Sequence, residues 1–164
     1  MQRTSHGQDG GSPLISVLDR PFLVRLLPLV ILASCARAGP PTTATVEQNS
    51  PAIRGSQLVE AVGFETLGGA FTPVLKACAL PCEVTEIFST AIADQSQIAL
   101  ILLRGNGRLA SEVHRLGTFL IKSIPARPAG EPQIAVTLRA DAGDLVLQVR
   151  DLGGASLSLE RESQ

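Results

Sequence analysis

From about residue 57 onward, apolar side chains recur at every second position in short runs, and turn-forming residues interrupt the runs roughly every ten positions. Such a rhythm belongs to strands that bury one face, and it predicts an all-β sandwich or barrel. It is clearest late in the chain, where Ile134, Val136 and Leu138, then Leu145, Leu147 and Val149, then Leu157 and Leu159 each mark one face. Strands are predicted over Leu58–Thr66, Ala70–Ala77, Val84–Ile92, Gln97–Arg104, Arg108–His114, Gly117–Ile124, Gln133–Ala140, Leu145–Arg150 and Ala155–Glu160. Their separators suit tight reversals: Gly68-Gly69, Ala93-Asp94-Gln95-Ser96, Gly105-Asn106-Gly107, Ala142-Gly143-Asp144 and Gly153-Gly154. Residues 98–103, Ile-Ala-Leu-Ile-Leu-Leu, are apolar on both faces, so that strand is covered on both sides or one face lines a cleft.

Upstream the pattern changes. Residues 36–56 are rich in Pro, Thr, Ala and Ser, keep no sustained period, and read as a disordered tether that begins with Cys35 and holds the folded part, residues 57–161, some distance away. At about 5 to 6 Å times the square root of its length, the tether spans roughly 25 Å. Residues 22–34 form an apolar run behind Arg20 and Arg25, in the order of a secretory signal, and are too short for a comfortable membrane span. The run ends Leu32-Ala33-Ser34-Cys35, which resembles a bacterial lipobox: Leu three residues before a Cys, with two small residues between. The resemblance implies that residues 1–34 are a lipoprotein signal peptide and that Cys35 becomes the lipidated amino terminus, its two or three acyl chains making a stable anchor. The polar stretch Met1–Asp19 ahead of the basic residues is unusual for a signal and leaves the start codon open. Ala36 rather than Asp after the Cys implies, under enterobacteria-like sorting, an outer-membrane protein facing the periplasm.

Composition narrows the function. Fourteen Lys+Arg against fifteen Asp+Glu, with no Trp or Tyr, argue against nucleic acid, which needs a basic surface and aromatic platforms. Beyond about residue 40 the chain offers one His and two Cys, too little for metal cages or triads, so no catalytic residue, metal or cofactor is expected. Cys78 and Cys82, spaced around Pro81, are a candidate disulfide in an oxidising compartment or, equally, two free small apolar side chains.

Five segments carry a wider resemblance: Val62-Gly63-Phe64-Glu65-Thr66-Leu67-Gly68-Gly69, Ile87-Phe88-Ser89-Thr90-Ala91, Asp94-Gln95-Ser96, Leu116-Gly117-Thr118-Phe119 and Pro132-Gln133-Ile134-Ala135-Val136-Thr137. In order and spacing they resemble the peptide-binding β domain of the DnaK (heat-shock seventy) chaperones. The resemblance covers about residues 57–160 and implies an antiparallel β-sandwich whose loops cup an extended apolar peptide. Position by position, it implies a pocket lined by Phe64, Phe88, Ile98, Leu100 and Ile134, an arch formed by Leu67 and Ala91, and polar backbone contacts from Thr66, Ser89 and Gln95. Main-chain-directed hydrogen bonds plus one apolar hole are what a non-selective binder of extended chains requires. Read without the resemblance, the five pocket residues are simply core. Phe64 stands where the family usually has a smaller aliphatic residue, which narrows the pocket. The family's ATPase domain, helical lid and acidic-leucine linker have no counterpart in this sequence, so binding without ATP in cis is expected.

Other constellations are thin. Glu112 and His114 share one face of a predicted strand, with no nucleophile tied to them. Asp141, Asp144 and Asp151 sit by Gly-rich turns but lack calcium-loop spacing. Pro125–Pro132 falls in an interstrand loop by the resemblance. Two functions are expected to compete. One is a lipid-anchored envelope protein that binds extended apolar segments of unfolded polypeptides; the other is an assembly subunit with a filled cleft that docks one protein partner on a membrane complex.

Overall fold

The structure is a computed structural model and describes residues 37–163; the expected signal peptide and Cys35 lie outside the described residues. Twelve strands and one 3-10 turn follow in order: β1 Thr42–Glu47, β2 Ile53–Arg54, β3 Gln57–Leu58, β4 Ala61–Thr66, β5 Ala70–Leu75, β6 Cys78–Ala79, β7 Cys82–Phe88, β8 Gln97–Gly105, the turn Ala110–Glu112, β9 His114–Lys122, β10 Ile134–Asp141, β11 Asp144–Asp151 and β12 Ser158–Arg161. They form an antiparallel β-sandwich. One sheet runs β1-β11-β10-β7, the facing sheet β12-β9-β8-β4-β5, and a small third sheet β2-β3-β6 closes a corner.

The period-two pattern works as read. Ile134, Val136, Leu138, Leu145, Leu147 and Val149 turn inward from the first sheet and meet Val62, Phe64, Leu100, Leu102, Phe119 and Ile121 of the second in one buried cluster. β8 is apolar on both faces because its second face is partly covered: Leu103 is buried while Ile101 is half-buried. Outward positions Thr85 and Thr137 stay wet and share a hydrogen bond at 2.7 Å.

Several boundaries differ from the sequence reading. The tether expected through residue 56 is largely folded: β1 pairs with β11 from Thr42↔Val149 to Glu47↔Leu145, and Val46 and Ala52 are buried. The polar, edge-strand character of Thr-Thr-Ala-Thr-Val-Glu hid it, since only Ala44 and Val46 face the core. Arg104 of β8 holds β1 in place, donating to Glu47 at 3.0 Å and to Glu60 at 2.7 Å. The strand expected at Arg108–His114 is instead a loop with a 3-10 turn, because Glu112 folds back to accept the Arg108 and Leu109 amides and the chain bridges to Ala70. Glu112 therefore does not share a strand face with His114, which opens β9. The strand expected over Leu58–Thr66 breaks at residues 59–60, its first residue passing to the small sheet; β7 ends at Phe88 rather than Ile92, and β12 is shorter than Ala155–Glu160. Cys78 and Cys82 are joined as a disulfide, which links the small sheet to the first residue of β7.

Both sheets end in register at one pole. The register Phe88↔Ile134↔Asp151 ends the first sheet, while Gln97↔Lys122↔Ser158 and the β4–β5 turn end the second. The three direct crossovers between the sheets, residues 89–96, 123–133 and 152–157, lie at this pole, while the two that pass through the small sheet, β1 to β4 and β5 to β7, lie at the other.

Candidate binding cleft

Between the edge strands β5 and β7, toward that pole, the two sheets part over a cleft of about 390 Å³. Its apolar lining includes Phe64 from β4, Val74 from β5, Phe88 from β7, and Ile98 and Leu100 from β8. Phe64 is buried and Phe88 half-buried, and their rings meet edge to face with centroids 5.2 Å apart. That geometry suits the ring quadrupoles and fixes the cleft floor.

Four of the five expected pocket residues thus come together. Ile134 is not among the lining side chains: it is the cross-strand neighbour of Phe88 in the first sheet and is fully buried. The expected arch residues are not among the lining side chains; both are exposed in turns at the cleft pole. Leu67 is 100 % exposed at the tip of the β4–β5 turn, where Gly68 and Gly69 supply positive φ values of 82° and 73° that a side chain would disfavour. Ala91 is exposed in the 89–96 crossover.

The expected polar residues are engaged within the chain. Ser89 donates to the Pro132 carbonyl at 2.6 Å. Gln95 accepts the Ala91 amide at 2.9 Å and donates to the Gln97 carbonyl at 2.8 Å, bracing the crossover. Thr66 hydrogen-bonds the Ala70 carbonyl at 3.3 Å and the Thr72 hydroxyl at 3.0 Å. Their direct work is to shape the loops.

Sequence reasoning missed Glu65, Thr72, Val74, Glu86, Ile87, Ala99 and Ile101, which also line the cleft. Thr72 was findable as the cross-strand neighbour of Phe64. The approach of β7 to β5 joins different sheets and leaves no local signal. Glu65 and Glu86 give the lining negative charge, and no Lys or Arg is among the lining residues.

The remaining acidic candidates each have a partner within the chain. Asp144 accepts the Asn49 amide across the β1–β11 edge, Asp141 pairs with Arg139 on the same strand, and Asp151 Oδ2 accepts the Ala155 amide in a turn, while its buried Oδ1 has no hydrogen-bond partner among the described residues. A larger hollow of about 650 Å³ at the far pole is bounded by Glu47, His114, Arg115, Arg161 and Glu162. Arg161 is already spent there on the carbonyls of Val46 and Leu116 and on the Phe119 ring.

Residues 57–154 match the family described as Hsp70 protein. The chain belongs to the Hsp70 family. It is 41 % identical over 86 residues to the chaperone protein dnaK of Cyanidium caldarium, a match that covers 52 % of this chain and 14 % of that protein. The chain therefore corresponds to a small part of the Hsp70 relative it matches, and the matched region contains every cleft residue described above. β1 lies outside the Hsp70 match, since it ends at Glu47.

Proposed function

We propose that this sandwich binds extended apolar segments of unfolded polypeptides. The observation that carries the reading is the cleft in which Phe64, Phe88, Ile98 and Leu100 converge, toward the pole whose exposed turns bear Leu67 and Ala91, within an Hsp70 match. An extended peptide laid there presents main-chain groups to the turn edges and one apolar side chain to the hole. Glu65 and Glu86 favour a leucine-centred segment with Lys or Arg on its flanks. Capture in this form needs no nucleotide bound to the sandwich itself. We further propose that Cys35 carries the lipid that its Leu32-Ala33-Ser34-Cys35 context implies, placing the protein in the cell envelope, on the outer membrane facing the periplasm, with envelope polypeptides as clients.

A second reading is favoured by the side chains of Ser89 and Gln95 being consumed internally and by the Phe64–Phe88 contact across the floor. In it the cleft is closed to peptides, and the outer surface docks one partner of a membrane complex. Fluorescence anisotropy separates the two. A labelled Lys-flanked, leucine-centred peptide should bind saturably to residues 36–164 and lose that binding in Ile98→Trp, which fills the hole. A flat titration with a folded domain would remove the peptide reading and leave the docking one.

A further inference from the structure

The position of β1 decides which pole of the sandwich the amino-terminal leash reaches. The Hsp70 match begins at residue 57, and β3, which begins there, leads into Ala61 opposite Gly105, at the pole far from the cleft. A leash attached at that point would leave the cleft pointing away from its anchor. Here β1 runs back along the whole first sheet, from Glu47↔Leu145 to Thr42↔Val149, and returns the chain to the cleft pole. The return is tied down there. The Gly39 amide donates to the Asp151 carbonyl at 2.7 Å, and Asp151 lies two strands from Phe88 in the register Asp151↔Ile134↔Phe88. Gly39 is itself buried, and a Cβ on it would lie 2.0 Å from the Ala155 carbonyl oxygen, so the docked backbone admits no side chain.

We propose that the peptide cleft faces the membrane surface to which the protein is anchored, and that its clients are extended apolar segments lying at or emerging from that surface. The proposal rests on lipidation at Cys35. Position 35 is four residue steps from Gly39, a reach of at most about 14 Å at the full extension of the chain. β8, nine residues long, spans about 30 Å at the rise of a strand. The leash is thus shorter than half the sandwich, and it leaves from the cleft pole, so the cleft pole is held near the lipid and the far pole is not. The cleft pole also carries two of the most exposed large apolar side chains among the described residues, Leu67 and Ile92. Both suit an interfacial setting beside the lipid headgroups.

The chain has no Trp, so one introduced Trp is a unique fluorescence donor. Ile92→Trp reports the cleft pole and Asn106→Trp the far pole, both at exposed positions where substitution spares the core. The full chain, isolated from bacterial membranes, is placed in vesicles of phosphatidylethanolamine and phosphatidylglycerol bearing a headgroup-linked dansyl acceptor. Flotation with the vesicles, lost in Cys35→Ser, supports the anchor; failure of the parent chain to float removes the anchor and the proposal together. In floating protein, energy transfer several-fold greater from Ile92→Trp than from Asn106→Trp supports a membrane-facing cleft. Equal or reversed transfer overturns the orientation while leaving the anchor and the peptide site intact. As a second reading, Gly39→Leu undocks the leash, and the contrast between the two donors should shrink.

Discussion

Replacing Arg104 by Ala should unfasten β1 from β8. The Arg104 side chain is 12 % exposed and donates to Glu47, 19 % exposed, and to Glu60, 32 % exposed. Hydrogen bonds to charged partners contribute roughly 1.5 to 3 kcal/mol each when buried, and partial solvent access takes each here to about 1 kcal/mol. Truncation also leaves two carboxylates side by side without their cation, and breaking a buried pair by removing one partner costs more than the pair was worth. The expected loss is about 2 to 3 kcal/mol. For a domain of roughly 125 residues, unfolding entropy near 2.1 cal/mol/K per residue converts this to a fall in Tm of about 10 °C. The assay is thermal unfolding followed by far-UV circular dichroism, with a double-mutant cycle against Glu47→Gln to isolate the link to β1. A shift below about 2 °C, or a coupling indistinguishable from zero, would refute the claim that this ion triad fastens the strand.

Three other outcomes are expected. Gly63→Ala places a methyl 2.0 Å from the Thr72 carbonyl oxygen, so β4 and β5 must separate; about 3 kcal/mol of stability and the peptide binding should both fall, and an unchanged melt would contradict the close approach. Replacing both Cys78 and Cys82 by Ser opens a loop of sequence separation 4, for which the chain-entropy relation gives about 2 kcal/mol; the loss should appear in melts of the variant and of the reduced parent alike, and identical melts with and without reductant would oppose it. The backbone amides of Arg108 and then Leu109 hold the Glu112 carboxyl below its ordinary value of 4.5. Its contribution to the 105–113 loop is therefore present above that value and is lost only as the pH falls through the depressed one. Carboxyl NMR titration should show this midpoint, with amide exchange at Arg108 and Leu109 rising in step, and a midpoint at or above the ordinary value would be inconsistent with the turn.

Strands β7, β9, β10 and β11 were legible because each turns a face to the facing sheet, which writes a period of two into the sequence, and β8 because its run is apolar on both faces. The inward sets of β10 and β11 are the plainest case. β1 was not legible, because as an edge strand it needs only two core-facing apolar residues, and its partner lies about a hundred positions away. Arg108–His114 misled for the opposite reason: Leu109 and Val113 imitate a strand, while a side chain reaching back from Glu112 bends the backbone into a turn. At the site, Phe64, Phe88, Ile98 and Leu100 were found through in-register motifs, whereas Val74 and Glu86 depend on two sheet edges meeting in space. Ile134 shows the limit of transferring roles by position, because here it is buried in the core beside Phe88 in the ladder.

Methyl-resolved NMR of the domain during titration with the Lys-flanked, leucine-centred peptide tests the central claim most directly. Saturable shifts should be confined to Leu67, Ile87, Ile92, Ile98 and Leu100, with Leu58, Leu145 and Leu147 unmoved. Shifts clustered at the far pole, or none at peptide concentrations well above those that saturate anisotropy, would contradict it.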